Sequence, residues 1–153
     1  MPNTEFKDLG YNFKIDAVDS IPTELRNEFK DELSETDKDL IEYFFNLKLN
    51  DKLEYLISIE EHFIGYCSIH VDESYWNLYE IYIKKEFREL GIGTKLFETI
   101  NNDSKKDNKQ IRTYTLPSDR TAKNFYESNR ITARVLIMEQ KRSTSRYKIN
   151  NKF

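Results

Sequence analysis

Apolar positions along the chain keep two rhythms, a period of two and a period near 3.6, and the changes between them mark out the elements. Residues 11–18 alternate, with Phe13, Ile15 and Ala17 set against Asn12, Lys14 and Asp16, the pattern of a strand with one buried face. Residues 23–33 follow Pro22, which suits a helix start, and carry Leu25, Phe29 and Leu33 at helical spacing. Ser34 or Thr36 is expected to cap a second helix running to about Leu49, with Leu40, Ile41, Phe44, Phe45 and Leu47 on its apolar side. Residues 53–59, 63–71 and 75–83 read as three strands separated by turns at 60–62 and 72–74, an antiparallel meander. The helical rhythm returns through Ile92, Leu96, Phe97 and Ile100 and predicts a helix over 91–102. A polar turn at 103–109 follows, then a short strand at 111–116 ended by Pro117. A helix over 120–129, capped by Asp119 or Ser118, and a last strand at 133–139 complete the series. The first ten residues read as a leader, and 141–153 is basic and polar, with 142–153 expected to be a flexible tail.

A mixed α+β fold follows from this order, with helices beside a mostly antiparallel sheet. At 153 residues, with 38% hydrophobic and 14% aromatic content, the chain suits one domain with a substantial core, despite 33% charged residues. Its single cysteine, Cys67, excludes an internal disulfide and fits a reducing compartment. In mid-strand, Cys67 is expected to act as a small buried hydrophobe. No apolar run of eighteen residues and no signal-peptide pattern occur, so a cytoplasmic protein without a membrane partner is expected. His62 and His70 have no carboxylate or cysteine at metal-ligand spacing, which gives no metal site. Charge is divided unevenly. Residues 1–80 hold 19 acids and 7 bases, net −12, whereas residues 81–153 hold 8 acids and 17 bases, net +9. That asymmetry points to two ligands of opposite sign.

The candidate chemistry gathers between residues 78 and 94. Residues 78–83, Leu-Tyr-Glu-Ile-Tyr-Ile, suit a strand, and Arg88-Glu89-Leu90-Gly91-Ile92-Gly93 forms a short loop before the helix. Its glycines can take φ > 0 or let a ligand close to the backbone. A helix N-terminus offers unpaired N–H groups and partial positive charge, and Arg88 adds a planar cationic fork suited to phosphate. Thr94 is a further cap candidate. The run is not a Walker loop, because Lys95 follows Thr94 instead of preceding it. Nor is it a dinucleotide fingerprint, because Leu96 stands where a third glycine is needed.

Arg-x-x-Gly-x-Gly after an apolar strand resembles the pyrophosphate loop of the GNAT superfamily of N-acetyltransferases, and the whole run from Ile81 to Leu96 fits that family. A second block, Ala122-Lys123-Asn124-Phe125-Tyr126-Glu127, resembles the family's Ala-x-x-Phe-Tyr helix at the customary distance. The resemblance covers about residues 53–138. It implies an acyl-CoA N-acyltransferase fold whose twisted central sheet splays open where acetyl-CoA binds, between strands 78–83 and 111–116. It also implies that Ile81, Tyr82 and Ile83 contribute backbone groups to the pantetheine and acetyl carbonyl. Residues Arg88, Glu89, Leu90, Gly91, Ile92, Gly93 and Thr94 would then take the pyrophosphate. Tyr126 would protonate the leaving thiolate, and a phenol, with an ordinary pKa near ~10, is protonated at neutral pH.

Two positions depart from the family. Asp119 stands where an asparagine often meets pantetheine, and Asn77 stands where several members carry a glutamate base. Glu80 is the alternative base. Simple alternation puts it on the strand face opposite Asn77 and Tyr79, unless a bulge reverses the parity. The expected activity is acetyl transfer from acetyl-CoA to a small amine, which the acidic first half would favour in cationic form. A non-catalytic acyl-CoA-binding or regulatory module is the alternative. A homodimer is compatible with the family. No nucleic-acid-binding motif accompanies the basic half, and the acidic half would repel phosphate chains.

Overall fold

The computed structural model describes residues 4–8, 10–37, 41, 45, 51–117 and 119–140. Six strands form one sheet in sequence order: β1 (Thr4–Asp8), β2 (Tyr11–Val18), β3 (Lys52–Ile59), β4 (His62–Val71), β5 (Tyr75–Ile83) and β6 (Gln110–Thr113). The first five pair antiparallel, and β6 joins β5 in parallel. Helix α1 spans Thr23–Asp37, α2 Ile92–Lys106 and α3 Arg120–Ser128. The mostly antiparallel α+β architecture read from the sequence is therefore the one observed.

The sheet has two apolar faces with different coverings. Ile15, Tyr55, Ile57, Cys67, Ile69 and Leu78 pack with Leu96, Phe97 and Ile100 of α2 and with Tyr126 of α3. On the other face Leu56, Tyr66 and Tyr82 pack with Ile21 and Leu25 beside α1. Two bulges decide which residue goes where. Ile57 and Ser58 face Gly65 and Phe63, leaving Ile64 as an extra residue, while Ser68 and Ile69 face Glu80 and Leu78, leaving Tyr79 extra. Each insertion flips the alternation beyond it. In β5, Trp76 and Leu78 share the α2 face with Ile83, while Glu80 and Tyr82 lie on the α1 face.

Several boundaries differ from the sequence reading. The expected leader contains β1, which pairs with β2 from Thr4↔Ile15 to Asp8↔Tyr11. Helix α1 runs on to Asp37, so Ser34 is not a cap; its Oγ donates back to the Lys30 carbonyl inside the helix. Of the second expected helix only Ile41 and Phe45 are described, and Phe45 packs against Phe29 at 5.6 Å between ring centroids. The remainder, with Ser118 and residues 141–153, lies outside the described residues. Helix α2 continues a turn past its expected end to Lys106, because the buried Asp103 carboxylate accepts from the Tyr55 hydroxyl at 2.9 Å. Strand β6 stops at Thr113, three residues early, where its ladder with β5 ends. The strand expected at 133–139 is absent: these residues have no ladder partner and are irregular and exposed.

Candidate active site

The parallel ladder between β5 and β6 runs from Tyr75↔Gln110 to Leu78↔Thr113 and goes no further, while β5 continues to Ile83. The edge of β5 from Tyr79 onwards therefore has no strand partner on that side among the described residues. The Lys84 N–H bonds the Ile64 carbonyl of β4 at 2.8 Å. By the two-residue repeat of an antiparallel ladder, Tyr82 also turns its amide toward β4, and Ile81 and Ile83 turn theirs toward the opening. Ile83 already uses its carbonyl there, accepting from Arg88 Nε at 2.7 Å.

The loop that follows is shaped by left-handed residues. Glu89 has φ 65° and Gly91 φ 78°, and Gly91 is the N-cap of α2, with no side chain closing the helix end. Thr94, a cap candidate in the sequence, is instead the third helical residue and is exposed. The first-turn amides thus remain available to an anionic ligand. Leu90 and the buried Ile92 anchor the loop in the core. Gly93 has a different role: a Cβ there would stand 3.1 Å from Phe125 Cε2, so its lack of a side chain lets α2 and α3 meet. The Arg88 guanidinium does not point freely at the loop. Its Nη1 and Nη2 donate to the two carboxylate oxygens of Glu32 on α1, each at 2.7 Å, which raises its pKa. The Arg88 fork also lies 5.5 Å from the centre of the Tyr82 ring.

Because of the Tyr79 bulge, Glu80 shares the α1 face with Tyr82. It is 4% exposed and accepts on Oε1 from both Arg26 Nε at 3.1 Å and the Tyr66 hydroxyl at 2.8 Å. Arg26 also donates to the buried Glu54 of β3. One guanidinium from α1 thus neutralises two carboxylates that could not both be buried unpaired. Burial, and then Glu80, push the Tyr66 phenol well above its ordinary value. Nearby, the buried Asn77 amide donates to the Asp72 carboxylate at 2.8 Å and accepts from the Tyr114 hydroxyl at 3.0 Å. Tyr114 stacks on Tyr79 with centroids 4.5 Å apart. Asn77 therefore orients the pair of rings where β5 and β6 part.

Tyr126 is buried under the opposite face, in the cluster that includes Cys67 and Leu96. Burial is the main cause that raises its pKa, with the nearby Cys67 and Asp119 opposing ionisation further. Among the described residues its hydroxyl has no hydrogen-bond partner. Asp119 caps α3, accepting from the Ala122 N–H at 3.0 Å, so its carboxylate has a structural task. Cys67 is fully buried and its thiol pKa is raised by burial, consistent with a small core residue. No group of three metal-ligating side chains occurs among the described residues, and no described helix is long and apolar enough to cross a membrane.

The structure thus brings Ile81, Tyr82, Ile83 and residues 88–94 to one opening in the sheet. It places Glu80 on the α1 face and Tyr126 on the other. Sequence reasoning missed Arg26, Glu54 and Tyr66, which hold Glu80, and Glu32, which holds Arg88. It also missed Gly65, where a Cβ would stand 2.6 Å from the Tyr82 carbonyl oxygen and 2.8 Å from Ile83 Cδ1. A glycine inside an apolar strand was the available signal for that close approach.

A family model described as the acetyltransferase (GNAT) domain matches residues 51–129. No curated protein matches the sequence. Solved structures similar in fold include an aminoglycoside acetyltransferase, meta-AAC0020, from an uncultured soil metagenomic sample in complex with trehalose. It is 18% identical, with 87% of this chain and 97% of that one covered and a TM-score of 0.64. Another is AAC(6')-Iy in complex with the bisubstrate analogue CoA-S-monomethyl-acetylneamine, at 13% identity, 84% and 98% coverage and a TM-score of 0.59. A third is a GNAT family acetyltransferase from Elizabethkingia anophelis with acetyl-CoA bound, at 18% identity, 76% and 74% coverage and a TM-score of 0.59.

Proposed function

Since the chain belongs to the GNAT acetyltransferases, we propose that it transfers the acetyl group of acetyl-CoA to the primary amine of a small cationic acceptor by direct attack. The observation that carries this reading is the unpartnered β5 edge that leads from Tyr79 to Ile83 and on to the loop at Gly91. A thioester donor laid along that edge meets the outward amides of Ile81 and Ile83. Its pyrophosphate then reaches the uncapped start of α2. No metal is required for this chemistry.

In the reaction the amine nitrogen bonds to the thioester carbonyl carbon, the C–S bond breaks, and the departing thiolate takes the Tyr126 phenol proton. Burial suits Tyr126 to this task, because a raised pKa keeps the proton in place until a strong base is generated. The amine loses one proton, which we assign to Glu80. Both bonds to Glu80 fall on Oε1, leaving Oε2 as the proton acceptor. Glu80 and Tyr126 serve opposite faces of the sheet, and the gap between β5 and β6 joins the two sides. The acceptor would enter from the α1 side, where Glu28, Glu32, Glu54 and Glu80 concentrate negative charge around Tyr82, Arg88 and Arg26.

Release of CoA thiol over a panel of amines tests the reading. Polyamine-like or aminoglycoside-like acceptors should have higher kcat/KM than acidic amino acids. Their advantage should shrink as salt screens the acidic half, and Glu80→Gln should slow every acceptor alike. A panel in which neutral or anionic acceptors lead, with no salt dependence, would reject the cationic acceptor.

A further inference from the structure

Two unsatisfied surfaces occur on the same chain, and they match. The first is the outer edge of β6. Strand β6 ends the sheet order and pairs only with β5 among the described residues, so the other side of Gln110–Thr113 is open. An open edge is a row of unpaired N–H and C=O groups that templates another strand. The second surface is the segment after α3. The last tie of this segment to the fold is at Ile131, whose N–H bonds the Tyr126 carbonyl at 3.0 Å and whose side chain packs on the core. Beyond it come Val135, Leu136, Ile137 and Met138, which are 84%, 63%, 71% and 80% exposed. In an extended chain Val135 and Ile137 point one way and Leu136 and Met138 the other. Four consecutive large apolar residues with both rows in water are a docking element, not a solvated tail.

We propose that the segment from Val135 to Met138 pairs with the β6 edge of a second copy of this chain, and that the second copy returns its own segment, forming a two-fold exchanged dimer. The occupant is a second copy because each chain carries both the open edge and the unpaired strand, yet leaves its own edge open. A reciprocal exchange satisfies both surfaces at once and closes without further growth. The exchanged strands extend the sheets at β6, next to the opening beside β5, so the dimer seam borders the site without using its residues. Both surfaces lie in the basic half of the chain, with Arg112 on β6 and Arg134 at the start of the segment. Mutual repulsion is therefore weakened by salt, and added salt should tighten the dimer.

Analytical ultracentrifugation of the full chain over a wide concentration range tests this. The wild type should sediment as a dimer, more strongly so at high salt. Leu136→Lys and Ile137→Lys, each a change at an exposed position that leaves the fold intact by circular dichroism, should each raise the dissociation constant at least tenfold. Hydrogen exchange at β6 amides should then accelerate in the variants and on dilution of the wild type. A monomeric wild type whose β6 amides are protected would mean that the segment folds back on its own edge, and it would overturn the proposal. So would a monomer with unprotected β6 amides, or a dimer that both lysine variants leave unchanged. Acetyl transfer is not read in this experiment, so its outcome is independent of the activity.

Discussion

Gly91 and Gly93 stand two residues apart and are glycine for different physical reasons. Gly91 holds φ 78° with nothing within 4 Å of where a Cβ would be, so its requirement is backbone conformation and open space for a ligand. Gly93 makes room for the Phe125 ring. Replacing Gly91 with valine puts a β-branched residue in the left-handed region and fills the space over the loop. Acetyl-CoA affinity measured by calorimetry should fall by about 1–3 kcal/mol, the cost of polar contacts left unmade. An unchanged affinity in a folded variant would remove the donor from this loop. The loop and Tyr126 were legible because they form local strings of residue types with fixed spacing. The partners that hold the site were not. Arg26 meets Glu54 and Glu80, and Glu32 meets Arg88, across 28 to 56 positions of sequence, and a single sequence carries no signal for such pairings.

At the scale of elements, the two bulges do what periodicity cannot express. Reading β5 with strict alternation puts Glu80 on the wrong face; the extra residue at Tyr79 brings it to the α1 side beside Tyr82. Strand β1 escaped detection because Thr4–Asp8 is a polar edge strand with one aromatic residue, Phe6. The segment at 133–139 was read as a strand because β propensity describes a residue run, whereas a ladder also needs a neighbour. The five longer strands and helices that carry clear apolar periods were read to within a few residues. Gly65 sits where β4 and β5 press closest. An alanine there meets the Tyr82 carbonyl oxygen, a backbone atom that cannot rotate aside. Gly65→Ala should therefore displace the open edge of β5, destabilise the fold by about 1–3 kcal/mol in urea titration and raise KM for the donor. An unaltered unfolding midpoint would mean the two strands part without cost.

For the molecule as a whole, buried phenols tie stability to alkaline pH. Tyr66 and Tyr126 are held protonated mainly by burial, so their folded pKa lies above the unfolded value near ~10. Their contribution is complete below that value and is lost as pH rises toward the folded value, because only the unfolded chain can release the protons. Stability should thus be flat near neutrality and fall above about pH 10, by about 1.4 kcal/mol per pH unit for each phenol. Tyr66→Phe should flatten the slope of thermal midpoint against pH, and an identical slope in the variant would exclude Tyr66 as a cause. The same protonated state underlies the catalytic proposal, in which a sheet opened between β5 and β6 presents a donor to an amine on one side and to a buried acid on the other. Steady-state turnover of Tyr126→Phe at saturating acetyl-CoA and amine tests that account most directly, since the change keeps the ring and deletes only the hydroxyl. The account predicts kcat lower by roughly 10²–10⁴-fold with acetyl-CoA affinity unchanged; wild-type turnover in the folded variant would contradict it.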